Sequence, residues 1–308
     1  MRIVVVGAGG TGGYFGGLLA RSGEDVTFIA RSAHLEALRA RGLTVESKLA
    51  GTFTIAVQAT DNPLEVDPAD LILFCVKTYD IEVAAQSIRP LIRPETMIMS
   101  LQNGIGNEEC IAQAVGHHSG IGAVAYVVSA IKAPGVVAQT AGPGKIVFGE
   151  LGGGTSPRTE RLHDVLQRAG IAVELHHAVQ VVLWQKFLFI CAFSGVTAVS
   201  RLPIDTILAD PVTHDLFRGA SEEVEVVARA RGIALPADCV EQAMATAAVE
   251  PWGRGSLYHD LAGGRRLELE SLNGEVVRCG HEHGIETPLN FAIYAALRPY
   301  IDGAPVLP

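Results

Sequence analysis

The first half of the chain alternates short, nearly unbroken apolar runs with segments whose apolar residues recur every three or four positions; the second half shows only the latter. The runs at residues 2–6 (RIVVV), 26–30, 71–76 (LILFCV), 96–101 (TMIMSL) and 120–128 have the length and β-branched content of buried strands. Residues 10–21, 33–40, 80–88 and 107–115 between them carry helical spacing. Strands alternating with helices in this way build a doubly wound parallel sheet. Residues 43–45 and 52–55 read as a short hairpin around Leu49-Ala50-Gly51. From residue 130 to 150 the texture changes to short strands broken by Pro134-Gly135 and Gly142-Pro143-Gly144, an antiparallel extension of the sheet. A Gly-rich loop at 152–157, a helix at 158–169 and a strand at 171–175 close this half.

Beyond His177 the strand signal disappears, and residues 178–200, 210–231, 237–248, 257–281 and 290–300 all read as helices. The predicted fold class is therefore α/β, an N-terminal Rossmann doubly wound domain over residues 1–177 followed by an all-helical C-terminal domain over 178–308. One segment of the latter, residues 181–199 (VVLWQKFLFICAFSGVTAV), has the length of a membrane span, but Gln185, Lys186, Ser194 and Gly195 would be costly in lipid. A buried core helix is the expected reading.

Composition narrows the class further. A chain of 308 residues with 48% hydrophobic content can bury two cores, and its net charge of -9 disfavours a polyanion-binding role, so no nucleic-acid partner is expected. The five cysteines, Cys75, Cys110, Cys191, Cys239 and Cys279, are scattered and odd in number, as in reduced thiols of a cytoplasmic protein. The N-terminal apolar run passes straight into glycines and carries no secretory signal pattern.

Those glycines carry the first chemistry. Gly7-Ala8-Gly9-Gly10-Thr11-Gly12 directly follows the first strand and opens a helix. In a GxGxxG turn the first glycine allows the tight bend, the second lets backbone approach a pyrophosphate, and the third lets helix pack on strand. The pyrophosphate then rests on the free N–H groups of the helix N-terminus. Where an NAD site would place an acidic residue after the second strand, this chain has Ala30-Arg31-Ser32, and a guanidinium there suits the 2'-phosphate of NADPH/NADP. A plain surface arginine is the alternative.

Further candidates lie where the pattern is broken. Lys186 interrupts a strongly apolar helix, where desolvation lowers an ammonium pKa and makes it a better proton donor near neutrality; a lysine snorkelling from the helix surface is the alternative. Ile190 and Ser194 follow it at four-residue steps on the same helix face. Lys77 and Asn103 end two predicted strands, at the edge where open α/β sheets bind ligands, though an exposed lysine and a turn-forming Asn-Gly would look the same. Glu268, in Arg265-Arg266-Leu267-Glu268, reads either as a functional carboxylate or as a solvated helix charge. Histidine pairs occur at His117-His118, His176-His177 and His281/His283 without any recognised ligand spacing, and no metal site is expected.

Taken together in order and spacing, Gly7 to Gly12, Arg31, Cys75-Val76-Lys77-Thr78, Leu101-Gln102-Asn103-Gly104, Trp184-Gln185-Lys186, residues 256–260 and residues 265–274 resemble the 2-dehydropantoate 2-reductase (ketopantoate reductase) family over nearly the whole chain. The resemblance implies NADPH-dependent reduction of a small 2-oxo acid, 2-dehydropantoate, to pantoate in pantothenate synthesis, by a cytoplasmic enzyme without membrane partners; a homodimer is an open alternative to a monomer. It implies that Lys186 is the general acid for the keto oxygen and that Glu268 supports the cofactor and the polar network of the site. Ser256 would contact the substrate carboxylate, Asn103 would lie between cofactor and substrate, Lys77 would line the same cleft, and Val127 would offer a backbone contact to the cofactor. The family carries asparagines where this chain has Ile190 and Ser194 in its substrate pocket. Ile190 can donate no hydrogen bond, which keeps another branched 2-oxo acid open as substrate. A regulatory protein that binds NADPH without catalysis is a further alternative, against which stands the presence of both Lys186 and Glu268.

Overall fold

A computed structural model describes residues 1–116, 120–249 and 253–304; His117 and His118 lie outside them. The chain divides into two compact units, Met1–Gln102 with Gly106–Val179, and Asn103–Ile105 with Gln180–Pro308. The division falls two residues beyond the expected 177/178 boundary, where the longest helix begins, and the short stretch after Gln102 belongs with the second unit.

The first unit runs β1 (Arg2–Val6), α1 (Gly10–Arg21), β2 (Asp25–Ile29), α2 (Ser32–Arg41), β3 (Leu43–Ser47), β4 (Gly51–Ile55), β5 (Gln58–Thr60), β6 (Leu71–Phe74), α3 (Ile81–Ser87), β7 (Met97–Ser100), α4 (Asn107–Val115), β8 (Ile121–Ala133), β9 (Val136–Glu150), α5 (Pro157–Arg168) and β10 (Ala172–Leu175). Five strands pair in parallel in the order β5-β2-β1-β6-β7. Successive residues of a strand point to opposite faces, and in β1 Ile3 and Val5 join one core with Phe15, Leu18 and Leu19 of α1. Val4 and Val6 join another with Ile81, Ala85 and Ile111. Burial on both faces is why the strand reads as a continuous apolar run rather than an alternating one.

The remaining strands correct the single-sheet expectation. β8 does not continue the parallel sheet; it pairs antiparallel with β9 in a second sheet of order β10-β9-β3-β4. β9 is also one strand of 15 residues, not several short ones. Gly142-Pro143-Gly144 is absorbed as a bulge: Tyr126 pairs with Lys145 and Val128 with Ala141, so the three turn-like residues stand opposite Val127 alone. The hairpin of β8 and β9 lies against α1, where a Cβ on Gly13 would come 2.6 Å from Val137 Cγ2.

The second unit contains α6 (Val179–Ser200), α7 (Ile204–Ala209), α8 (Pro211–Ala230), α9 (Cys239–Ala248), α10 (Ser256–Ala262), α11 (Glu275–Glu282) and α12 (Pro288–Leu297). α6 is long and apolar enough to cross a membrane, yet most of it is buried inside the protein, against Phe217, Val224, Leu257 and Leu272 among others. The single helix expected over 257–281 is broken. Gly263 and Gly264 end α10, with Gly264 in the left-handed region at φ 61, and the Arg265 amide and guanidinium turn back onto Asp260. Residues 265–269 are then non-helical, and a π-helical turn at Glu270–Gly274 leads into α11. Glu268 therefore sits outside any helix.

Candidate active site

The glycine loop builds the site of the first unit. Gly7 bends at φ 96, a conformation that L side chains resist, and a Cβ there would press on the Val76 amide nitrogen at 2.9 Å. Gly9 begins α1 without a side-chain cap, and apart from its own chain neighbours no atom of the described residues lies within 4 Å of where a Cβ would stand. Backbone N–H groups at that helix start thus border open space a phosphate could fill. At Gly12 a Cβ would overlap the Gly7 carbonyl oxygen and meet Val5 Cγ1 at 2.9 Å. At Gly10 it would overlap the Ser129 carbonyl oxygen, so the β8–β9 hairpin forms one wall of the loop. Ala8 is buried and Thr11 half-buried on the same turn. These features fit a dinucleotide pyrophosphate.

Arg31 follows β2 and Lys77 follows β6, the two strands flanking β1, so both leave the carboxyl edge of the sheet. Lys77 is half-buried at the start of a 3-10 turn, Thr78–Asp80. Arg31 is exposed, and its Nη2 donates to Asp80 Oδ2 at 2.8 Å. Asp80 escaped the sequence reading; its signal was only its position, an acid just past a strand end. His34 was also missed. Its Nδ1 accepts the Gly135 N–H at 3.1 Å, and burial lowers its pKa, partly countered by a hydrogen bond to the Ala8 backbone. Val127 stands at the irregular step of the β8–β9 ladder described above.

In the second unit three backbone segments meet α6 or one another. Lys186 is half-buried in α6 with apolar neighbours, and desolvation lowers its pKa from 10.5 to about 8. One turn on, Ile190 is half-buried. Ser194 is fully buried, and a Cβ on Gly255 would overlap its Cα and Oγ; the backbone before α10 closes over it. Its hydroxyl is buried and has no hydrogen-bond partner among the described residues. Ser256, half-buried, opens α10 directly after that contact.

The π-helical turn is tied to α6 by Asn273, whose Nδ2 donates to Asn290 Oδ1 at 2.9 Å and to the Cys191 carbonyl at 3.3 Å. Three residues before the turn's Ser271, Glu268 is only 8% exposed, and the Ser271 hydroxyl donates to the Glu268 carbonyl at 3.1 Å. The Asn103-Gly104 bend packs on this segment: Gly104 has φ 100, and a Cβ there would lie 2.7 Å from the Ser271 carbonyl oxygen. The bend is thus both a turn and the element that brings half-buried Asn103 to the Glu268 segment. A π-helical turn at such a place is common at functional sites. Among the described residues no cluster of three or more His, Cys, Asp or Glu could hold a metal.

Comparison with known proteins supplies the rest. The family model "Ketopantoate reductase PanE/ApbA" matches residues 3–153, and its C-terminal counterpart matches residues 178–300. A 2-dehydropantoate 2-reductase of Pyrococcus horikoshii is 30% identical, with 97% of each chain covered. Among solved structures, a ketopantoate reductase of Ralstonia eutropha superposes with a TM-score of 0.90 at 33% identity, covering 97% of this chain and 98% of the other. A 2-dehydropantoate 2-reductase of Geobacter metallireducens gives 0.90 at 34%, covering 97% and 99%.

Proposed function

The chain belongs to the ketopantoate reductase family, and on that premise we propose that it reduces 2-dehydropantoate to pantoate with NADPH. The family makes it an oxidoreductase; the observation within the structure that carries the chemistry is Lys186. An ammonium with a pKa of about 8 is still protonated at neutral pH, yet gives its proton far more readily than an ordinary lysine. Its Nζ protonates the substrate's keto oxygen as the carbonyl carbon becomes tetrahedral. When bound, the nicotinamide supplies the hydride for that carbon. Ser256 and Asn103 orient the 2-oxo acid, and Glu268, held by the π-helical turn, fixes the polar surroundings of the proton donor.

The glycine loop holds the pyrophosphate, and Arg31 takes the 2'-phosphate. Arg31→Ala is expected to weaken NADPH about tenfold while changing NADH less than about twofold. That is the low end for a charge-assisted hydrogen bond, because the guanidinium is 81% exposed and already partnered by Asp80. Fluorescence titration of both cofactors measures it, and equal losses would remove Arg31 from the phosphate site.

The substrate itself is tested by NADPH oxidation with 2-dehydropantoate beside 2-oxo acids of other size and branching. The reading stands if 2-dehydropantoate has the highest kcat/KM. A second reading, a different branched 2-oxo acid, draws on Ile190, whose half-buried apolar side chain follows Lys186 by one turn. Ile190→Asn should raise the preference for the hydroxylated acid by about 1 kcal/mol, roughly one net hydrogen bond. An unchanged ratio of kcat/KM values in the folded variant would place position 190 away from substrate.

A further inference from the structure

We propose that Asp80 is a selectivity residue that restrains the enzyme's preference for NADPH over NADH by holding Arg31, an inference that rests on the assignment of Arg31 to the 2'-phosphate. The two side chains come from loops at the carboxyl ends of β2 and β6, strands that flank β1 and the glycine loop. Their ion pair spans 2.8 Å, with Arg31 81% and Asp80 29% exposed. The backbone fixes where Arg31 starts: it is extended at φ -143 and ψ 163, and Ser32 after it takes a left-handed φ of 56, so the chain turns sharply into α2 at the guanidinium's root. The cation that would meet a phosphate dianion is therefore already engaged by a carboxylate, and that carboxylate lies within one ion-pair length of the phosphate's partner.

Two consequences follow from charge alone. A 2'-phosphate must draw Arg31 away from Asp80, or share it, and in either case the phosphate and carboxylate repel across a few ångströms of partly screened space. Plain ribose of NADH carries no such charge, and its 2'-hydroxyl can donate to a carboxylate as it does at acidic residues of NAD sites. Asp80 thus opposes NADPH and tolerates or supports NADH. Because the pair is exposed, its hold on Arg31 is weak, which sets the effect at about two- to fivefold.

The test is fluorescence titration of the full chain with NADPH and with NADH, for wild type, Asp80→Asn, Arg31→Ala and the double variant, at low and high salt, with thermal melting to confirm folding. Asp80→Asn should tighten NADPH about two- to fivefold, leave NADH unchanged or weaken it, and lose most of its effect in high salt and in the Arg31→Ala background. Unchanged or weaker NADPH binding in Asp80→Asn, or equal tightening of both cofactors, overturns the proposal. If Arg31→Ala selectively weakens NADPH but Asp80→Asn gains nothing, only the role of Asp80 falls. If Arg31→Ala leaves the NADPH-to-NADH ratio unchanged, the phosphate assignment falls and this inference with it.

Discussion

Replacing Lys186 by alanine is expected to lower kcat for 2-oxo acid reduction by at least about a hundredfold, and by up to about 10⁴, the range for removal of a general acid. The Kd for NADPH should stay within about twofold, because the proposed cofactor contacts are the glycine loop and Arg31. Lys186→Met, which keeps an unbranched stem of similar length but no proton, should lose as much, separating proton donation from packing. The pH dependence has a definite sign. Reduction needs the ammonium form, so with a pKa lowered to about 8 by desolvation, kcat should be level below roughly pH 7 and fall tenfold per unit above 8. The reverse oxidation needs the neutral amine and should rise through the same pH. Wild-type turnover in the alanine variant, or a reduction profile still level at pH 10, would hand the proton to another group.

The second large effect is expected at Gly12. A Cβ there overlaps the Gly7 carbonyl oxygen and meets Val5 Cγ1 at 2.9 Å and Cys75 Cβ at 3.0 Å, and backbone cannot swing aside as a flexible side chain can. Gly12→Ala should destabilise the protein by about 1–3 kcal/mol, the usual cost of overpacking. It should also weaken NADPH at least about tenfold, since relief comes only by lifting the start of α1, and its free N–H groups, off β1. Gly9→Ala is the matched control. Gly9 has φ -69 and an empty Cβ position, so stability should change by less than about 1 kcal/mol while the new methyl occupies space meant for phosphate. Thermal melts and cofactor titrations separate the pair: Gly12→Ala should fail in both, Gly9→Ala in binding alone. Unaltered NADPH affinity in Gly9→Ala would show that the phosphate does not approach that backbone.

Much of this protein is written in local pattern. The apolar run of β1, the glycines after it and the helical spacing of α4 and α5 each lie within a few residues of one another, and the structure has them within a residue or two of where the pattern places them. Lys186 was legible for the same reason: a single charge inside an apolar helix stands out against its neighbours, and burial by those neighbours is what lowers its pKa.

What sequence could not decide depends on partners far along the chain. β8 has the apolar content of a parallel-sheet strand, and only its long pairing with β9, with the bulge at Gly142-Pro143-Gly144, places it in a second sheet. Helical spacing across residues 257–281 gave no warning that Arg265 would fold back on Asp260, that Leu267 N–H would donate to the Ile301 carbonyl, and that Glu268 would leave the helix to become buried. Ser194 shares a helix face with Lys186 by spacing, yet Gly255, some sixty residues on, lies against it and shuts it in. Arg31 stands out in the sequence by its place after β2, but Asp80 is an unremarkable charge there, and only the parallel order β2-β1-β6 brings it to Arg31 as an ion pair. Periodicity and motif bias what a segment becomes, because they act through neighbours on the chain. Which surface a segment is pressed against is settled by burial and pairing across the whole fold.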